Sequence, residues 1–192
     1  YCSDHGDMAC EHGMWWKSSF YEGSVGVPLI VSGPGLRAAK VNEAIVSLLD
    51  VGPTLLDLVG AEPLPDVAGR SFRSFLRDGG ANPDWNDELF AEYTGLRGDL
   101  PSFMIRSGPW KLNYYFETES CQLFNLDEDS GELRDRAADA DCREVLEALL
   151  RKIEQRWDAA GYLAEYEKER RAGEFIRRCG HELSPHEVTH FS

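Results

Sequence analysis

The sequence predicts an α/β protein whose second half forms a small antiparallel sheet with a packed helix. A dense run of β-branched residues from Val25 to Val31 precedes a well-bounded helix pattern between Asp50 and Gly60, an order typical of α/β folds. Further along, three β-prone segments precede a long amphipathic helix pattern that begins near Cys142. These observations predict the fold class.

The chain opens on a short β-compatible stretch, Tyr1 to Ser3, which we predict to be the end of a buried strand. Asp4 and His5 follow directly, at the edge where open α/β sheets gather their ligands. A carboxylate beside a neutral imidazole suits a divalent cation, and oxygen-rich surroundings would favour Ca²⁺, Mg²⁺ or Mn²⁺ over Zn²⁺. The alternative is an ordinary Asp-His-Gly turn with solvated side chains, because two ligands alone do not hold an ion tightly.

The first half is predicted to contain one strand and one helix of the main layer. Val25 to Val31 is expected to be a strand of the main sheet, with Pro28 at its entrance or at a bulge. Asp50 is expected to be the N-cap of the following helix, with Pro53 in its first turn and Gly60 at its end. The leucines of this helix predict that it packs on the sheet.

A loop and a short amphipathic piece connect this helix to the next strand. Arg70 and Arg73 lie in that connection and are predicted to be solvated charges, with contacts to a substrate as the alternative. A surface loop is predicted over residues 78–87, and Leu89 to Tyr93 is the next strand candidate.

A β-hairpin is predicted next. Phe103 to Arg106 and Trp110 to Phe116 are strongly β-prone and flank the turn Ser107-Gly108-Pro109. Gln122 to Leu126 adds a further strand, so the region should form a small antiparallel sheet. The acidic segment 127–132 is predicted to be a solvated turn, because its spacing does not match that of a calcium-binding loop.

Two helices and a tail are predicted at the end of the chain. Apolar residues recur at i, i+4 intervals from about Cys142 to Ala160, which predicts an amphipathic helix that ends near Gly161. A second, highly charged helix follows over residues 162–178. The tail is expected to be exposed to solvent; a metal site and a contact with a neighbouring subunit are alternatives for its three histidines, His181, His186 and His190.

Composition restricts the class of partner. The 192 residues are 42% hydrophobic and 28% charged, with a net charge of −14, which argues against binding to nucleic acid or to an anionic membrane surface. No run of eighteen apolar residues occurs that could span a bilayer. The five cysteines are odd in number and lack CxxC spacing, which favours free thiols and a cytoplasmic location. A periplasmic location stays open, because a leader could precede this sequence.

Several motifs together resemble one family. The sequence resembles the formylglycine-dependent sulfatases of the alkaline-phosphatase superfamily, and in particular their choline-sulfatase and phosphonate-monoester-hydrolase branch, which uses Asp-His where arylsulfatases use Asp-Asn. The matches run in the family's order along the chain: Ser3-Asp4-His5-Gly6-Asp7, Glu11-His12-Gly13, Trp16-Lys17, Val27-Pro28-Leu29, Val46-Ser47-Leu48-Leu49-Asp50, Pro109-Trp110-Lys111-Leu112, Leu123-Phe124-Asn125 and Gly131-Glu132-Leu133.

This resemblance implies roles for three residues. Asp4 and His5 match ligands of the active-site divalent metal, with Ca²⁺ the first choice and Mn²⁺ or Mg²⁺ as alternatives. Lys17 matches a lysine that contacts the sulfate or phosphonate oxygens and stabilises negative charge on the leaving side. A surface lysine between two aromatic residues is the alternative for Lys17. Glu11 and His12 are expected to fix the loop by hydrogen bonds.

The resemblance also implies that part of the site lies outside this sequence. The family's nucleophile is a formylglycine made from a Cys-x-Pro-x-Arg signature, and no such signature occurs here. We therefore expect the C-terminal portion of a sulfatase: residues 1–98 as part of the α/β catalytic domain, 99–160 as the small sheet and helix, and 161–192 as a charged helical extension. That extension could mediate a homo-oligomer.

Three functional hypotheses follow. The first is the C-terminal portion of a metal-dependent sulfuric-ester hydrolase that acts on a small sulfate ester and is inactive without the nucleophile segment. The second keeps the fold but hydrolyses phosphonate monoesters or phosphodiesters. The third is a non-catalytic interaction module.

Overall fold

A four-stranded antiparallel sheet with one helix packed on it forms the centre of the molecule in a computed structural model, which describes residues 1–36, 40–77, 82–93, 101–116 and 118–183. The strands are β1 (Met8–Ala9), β2 (Trp15–Trp16), β3 (Glu88–Tyr93), β4 (Ser102–Ser107), β5 (Trp110–Tyr115) and β6 (Ser120–Asn125). The helices are α1 (Glu22–Val25), α2 (Val51–Val59), α3 (Arg73–Arg77), α4 (Arg143–Arg156) and α5 (Ala159–Leu183). Short 3₁₀ turns cover Glu11–Gly13, Leu48–Asp50 and Ala140–Cys142.

The central sheet is a meander in the order β3-β4-β5-β6, with every neighbouring pair antiparallel. Ser107 pairs with Trp110, so Gly108 and Pro109 form a two-residue turn, and Gly108 adopts the positive φ of 55° that this turn requires. The predicted hairpin and the predicted third strand are confirmed. The strand predicted at Leu89–Tyr93 joins the same sheet as β3.

One face of the sheet packs on α4. Ile105, Leu112 and Leu123 each have no exposed surface, and they meet Leu149 and Ile153 of the helix in a single apolar cluster. The i, i+4 spacing of the helix residues places them on one side, as the sequence predicts. The amphipathic helix is therefore confirmed.

The two helices meet four residues earlier than predicted. Helix α4 ends where Trp157 becomes extended, and this side chain packs against Phe103 with ring centroids 4.0 Å apart. Asp158 then accepts a hydrogen bond from the backbone N–H of Gly161 at 3.0 Å, which caps the start of α5. Gly161 consequently lies inside the second helix. The helices are separated by the packing of Trp157 and by the cap that Asp158 provides, and not by Gly161.

Two strand predictions in the first half are wrong. Tyr1 is 82% exposed, and Cys2 forms an isolated antiparallel bridge with Leu29 instead of a buried strand. The run after Val25 forms no regular strand, because Pro28 lacks an N–H and the described partner segment supplies a single bridge. β-branched composition alone does not make a strand where the described residues offer it no partner strand.

Helix α2 begins and ends as predicted, with Gly60 at a φ of 68° after its last turn. The carboxylate of Asp50 does not cap α2, because it accepts hydrogen bonds from the backbone N–H groups of Ser47 at 2.8 Å and Arg70 at 2.7 Å. Among the described residues, α2 lies mainly against α3 and the preceding 3₁₀ turn rather than on the sheet as predicted, and Leu55 is 54% exposed.

Arg70 is exposed and the Arg73 side chain is 40% exposed, as predicted for solvated charges, and each also has a partner within the protein. Arg73 donates to the Asp57 carboxylate at 2.7 Å and thereby ties α3 to α2. The Arg70 guanidinium lies 4.3 Å from the ring centroid of Trp85. Both arginines hold the connection between α2 and β3 in place.

The predicted division into three domains stays a prediction. Its first boundary, after residue 98, falls between β3 and β4, which pair along their whole length. His181 lies in α5, whereas His186 and His190 lie outside the described residues. The five cysteines are free thiols. No helix in the part of the chain that the structure describes combines the length and the apolar character needed to cross a bilayer.

Candidate active-site segment

Asp4, His5 and Lys17 lie together on the wall of one cavity of about 500 Å³. Its other walls come from residues 19–29, from residues 43–48 and from β3 and β4, so the N-terminal segment faces the second face of the central sheet. The three side chains that the sequence singles out are thus neighbours. A cavity of this size is in the range of small-molecule sites.

Asp4 divides its two oxygens between the backbone and the cavity. Its Oδ1 accepts a hydrogen bond from the backbone N–H of His5 at 3.0 Å, while Oδ2 lies 3.6 Å from His5 Nε2. Hydrogen bonds from the backbone N–H groups of Asp4 and His5, with a smaller contribution from the charges of His5 and Lys17, hold the pKa of Asp4 below its ordinary value. The side chain is 85% exposed, and it is an anion at neutral pH.

His5 is held in one orientation by its two ring nitrogens. Nδ1 lies 2.7 Å from the carbonyl oxygen of Gly6, which can only accept, so Nδ1 carries the proton. Lys17 Nζ lies 2.7 Å from Nε2, and an ammonium can only donate. The ring is therefore neutral and presents the lone pair of Nε2 to Lys17.

The loop between the dyad and Lys17 is a tight β-ribbon with several strained residues. Strands β1 and β2 pair antiparallel, and Cys10, His12 and Trp16 all have positive φ, at 87°, 53° and 69°. Such conformations are costly for residues with a Cβ and persist only where the surroundings impose them. Trp16 directly precedes Lys17, so its backbone sets the direction in which the lysine leaves the ribbon.

Glu11 and His12 help to hold this ribbon. Glu11 Oε2 accepts a hydrogen bond from the backbone N–H of Ala9 at 2.6 Å, as predicted. His12 acts by stacking instead, with its ring centroid 3.9 Å from that of Tyr21 and an interplanar angle of 7°.

The Asp4–His5 pair has the geometry of two adjacent ligands of one cation. Ligands bound at right angles with bonds of about 2.3–2.6 Å lie about 3.3–3.7 Å apart, and Asp4 Oδ2 and His5 Nε2 are separated by 3.6 Å. A carboxylate oxygen and a neutral imidazole nitrogen are also suitable donors for a divalent ion. The residues fit the ion that the resemblance implies, on the condition that Lys17 leaves Nε2, because one lone pair cannot serve both.

Carboxylates outnumber cations around this cavity. Glu22, Glu43 and Glu92 line it together with Asp4, whereas Lys17 and Arg106 are the cationic side chains among its described lining residues. An anionic ester entering it would require local positive charge, which Lys17 and a bound cation would supply.

A buried charge network under the cavity escaped the sequence analysis. The Lys111 side chain has no exposed surface, and its Nζ lies 2.8 Å from Glu22 Oε1 and 2.8 Å from Glu132 Oε1. Burial of these charges is not apparent from the sequence, because lysine and glutamate are usually exposed. Lys111 and Glu132 do lie in segments that carry the family resemblance, which was the available signal.

A second acidic cluster is accounted for by ion pairs. Asp139, Asp141 and Cys142 bring ligand atoms within 4.8 Å of one another. Arg136 donates to Asp139 at 3.1 Å and to Asp141 at 3.0 Å, so both carboxylates are already engaged in ion pairs. This cluster fastens the start of α4.

Comparison with known proteins gives concordant results. A protein-family model described as N-sulphoglucosamine sulphohydrolase, C-terminal, matches residues 10–159, a span that includes Lys17 and begins after His5. The chain is 38% identical over 149 residues to arylsulfatase K of Mus musculus, covering 72% of this chain and 26% of that protein. It is 38% identical over 140 residues to the choline-sulfatase of Rhizobium meliloti (strain 1021), covering 71% of this chain and 26% of that protein.

Solved structures agree with these relatives. A 2-O GAG sulfatase superposes with a TM-score of 0.74 and 26% identity, covering 89% of this chain and 37% of that one. The phosphonate monoester hydrolase of Agrobacterium radiobacter superposes with a TM-score of 0.68 and 28% identity, covering 80% and 33%. The chain thus spans about a quarter of the length of the two relatives and about a third of the length of the solved structures.

Proposed function

This chain belongs to the sulfatase family, and from that premise we propose that it supplies one side of the active site of a metal-dependent sulfuric-ester hydrolase. Its fold is that of the C-terminal part of a sulfatase. The observation that carries the proposal is the convergence of Asp4, His5 and Lys17 on one cavity, with Asp4 Oδ2 and His5 Nε2 at ligand spacing.

Asp4 and His5 would hold a divalent cation, Ca²⁺ in the first place and Mn²⁺ or Mg²⁺ otherwise. When bound, such a cation polarises the oxygens of an ester and stabilises the negative charge that develops on them. Asp4 is suited to this role because hydrogen bonds from backbone N–H groups keep its pKa low and leave Oδ2 free to face the cavity. His5 is suited because its proton is on Nδ1.

Lys17 would stabilise the leaving group. Its ammonium lies beside the two proposed ligands on an exposed, flexible stem, so it can turn from His5 towards an anion in the cavity. A positive charge placed where negative charge develops lowers the barrier of ester cleavage. The nucleophile, a formylglycine in this family, would come from a segment outside this chain, and we propose that the chain alone is inactive.

A calorimetric titration with Mn²⁺ tests the proposal. The wild-type chain should bind the ion, and Asp4→Asn should weaken binding by about tenfold or more, because it removes a charged ligand. The matched control is Asp84→Asn, which removes an exposed aspartate of another loop. Equal binding by wild type and Asp4→Asn would contradict the proposed metal site, and so would an absence of binding by the wild type.

Hydrolysis of phosphonate monoesters is the second candidate. It is favoured by the similarity to a phosphonate monoester hydrolase, which is of the same order as the similarity to the 2-O GAG sulfatase. The named relatives act on esters of different alcohols, so the alcohol part of the substrate is not fixed by similarity. Rates of a full-length protein containing this chain on an aryl sulfate and on the matching aryl phosphonate would separate the two chemistries.

We also propose a substrate class, a contact between subunits and a cellular location. The proposed partner is a small sulfate or phosphonate ester, without a role for nucleic acid or a membrane surface, because the net charge is −14. The charged helix α5, whose Phe175 and Ile176 are each 68% exposed, is proposed as a contact between subunits. A cytoplasmic location is proposed from the free thiols.

A further inference from the structure

We propose that the buried network of Glu22, Lys111 and Glu132 positions the His5–Lys17 pair, so that the small sheet acts as a support for the candidate active site. Lys111 and Glu132 are positioning residues, since neither lines the cavity, whereas Glu22 both lines the cavity and joins the network. The inference rests on the proposed function for its consequence in metal binding, but its structural part stands on contacts within the chain.

Lys111 and Glu132 form the buried part of the network, whereas the Glu22 and Arg106 side chains are 34% and 27% exposed. Lys111 Nζ makes two contacts of 2.8 Å with carboxylate oxygens of Glu22 and Glu132, and the lysine and Glu132 side chains are 0% and 2% exposed. Arg106 Nη1 lies 3.6 Å from the second oxygen of Glu22. Two cations therefore face two carboxylates. Removal of Lys111 would leave the buried carboxylate of Glu132 without a compensating cation, so the positions of these two side chains are tightly determined.

Glu132 connects the acidic turn after β6 to the start of α1. It has a φ of 54°, a conformation that residues with a Cβ seldom adopt, and its side chain points inward from that turn. While one oxygen contacts Lys111, the other accepts a hydrogen bond from the backbone N–H of Glu22 at 2.6 Å. Glu132 thus binds both the sheet and the first residue of α1.

Helix α1 in turn touches both parts of the candidate site. The Ser24 carbonyl oxygen accepts a hydrogen bond from the backbone N–H of Gly6 at 2.7 Å, next to His5. The Ser24 hydroxyl donates to the carbonyl oxygen of Lys17 at 2.5 Å, and this serine is 2% exposed. One buried residue therefore links the backbone beside the imidazole with the backbone of the lysine.

The contact between α1 and the dyad is too close for either backbone to move towards the other. A Cβ on Gly6 would lie 2.1 Å from the carbonyl oxygen of Gly23, so the two backbones are already at their closest approach. A displacement of α1 must consequently move Gly6 and Lys17 together. Because sites of this kind require their groups within about 0.5 Å of the productive position, the network that fixes α1 also fixes the site.

The test compares Lys111→Met with the matched control Lys152→Met. Lys152 also pairs with a carboxylate of the sheet, Glu88, but does so from α4 on the opposite face. At a fixed neutral pH, the ¹⁵N chemical shifts of the His5 ring and the affinity for Mn²⁺ are measured for each variant. Lys111→Met should shift the His5 resonances and weaken Mn²⁺ binding by about 10–100-fold, whereas Lys152→Met should change neither, although it too lowers the melting temperature.

Further variants keep the test decisive. Lys111→Arg retains the charge and should restore the His5 shifts towards those of the wild type. If Lys111→Met does not fold, Glu132→Gln, which keeps the shape of the side chain and lies outside the cavity wall, is expected to give the same displacement of the His5 resonances. A folded Lys111→Met or Glu132→Gln chain with unchanged His5 shifts would overturn the inference. Failure of the wild type to bind Mn²⁺ would contradict the proposed function instead, because the metal-free His5 shifts still report on the network.

Discussion

His5 is the residue on which the candidate site depends, because two different cations compete for one of its nitrogens. Its Nδ1 proton is directed to the Gly6 carbonyl, which leaves Nε2 as the acceptor of the Lys17 hydrogen bond at 2.7 Å. A metal ion bound to Asp4 and His5 would need the same lone pair. If the proposed site is right, Lys17 occupies the position that the ion would take, and it would have to release His5 before it could contact a substrate.

This competition predicts the effect of removing the lysine. Lys17→Met should increase the affinity for Mn²⁺ by about fivefold, because one hydrogen bond worth about 1 kcal/mol no longer has to be broken. Isothermal calorimetry at neutral pH measures the change. Lys40→Met, which removes an exposed lysine elsewhere, should have no such effect. Weaker binding by Lys17→Met than by the wild type would show that the lysine does not compete with the ion.

Two elements, α2 and α3, are joined by one carboxylate. Asp57 accepts hydrogen bonds from the Ser71 hydroxyl at 2.6 Å and from Arg73 at 2.7 Å. These two hydrogen bonds lower the pKa of Asp57 from its ordinary value of 3.8. The hydrogen bond from Ser71 has the larger effect on this pKa. Because the folded-state pKa is depressed, the carboxylate stabilises the fold above pH 4, and this contribution is lost as the pH falls through the folded-state pKa.

We predict that Asp57→Asn lowers the free energy of unfolding by about 1 kcal/mol at pH 7, with a smaller loss at pH 3. Urea unfolding at the two pH values measures both differences. The control is Asp84→Asn, a variant whose free energy of unfolding should match that of the wild type at both pH values. An equal loss at pH 3 and pH 7 would mean that the charge of Asp57 is not what joins α2 to α3.

Packing between the sheet and α4 predicts the effect of truncating a core leucine. Leu112 has no exposed surface at the centre of the apolar cluster, so Leu112→Ala should reduce the free energy of unfolding by about 2–5 kcal/mol. Leu133 is 83% exposed, and Leu133→Ala should change the free energy of unfolding by less than about 0.5 kcal/mol. Chemical denaturation of the two variants tests the assignment, and similar losses would contradict the packing described for α4.

Local patterns in the sequence predict some elements well. The hairpin at Gly108–Pro109 and helix α4 follow from turn residues and from periodicity, which act over a few neighbouring positions. The run after Val25 failed as a strand because strand formation depends on a partner that the run itself does not specify. The end of α4 was misplaced because the packing of Trp157 on Phe103, more than fifty positions away, decides it.

At the scale of the whole molecule, long-range contacts connect the candidate site to the sheet. Lys111 and Glu132 lie 89 and 110 positions after Glu22 in the sequence, so no local pattern reveals their contact with it. The sequence indicated Asp4, His5 and Lys17 through the family resemblance, and the structure places them around one cavity. What it could not indicate is the support beneath them, because burial of Lys111 depends on both faces of the sheet being covered.

The central claim is that Asp4 and His5 bind a divalent cation beside Lys17, and paramagnetic broadening of NMR signals by Mn²⁺ tests it most directly. Substoichiometric Mn²⁺ should broaden the signals of Asp4, His5 and Lys17 first, and Asp4→Asn should abolish this selective loss. Broadening that starts at another acidic group, such as Asp139 and Asp141, while the His5 ring signals stay sharp, would contradict the claim.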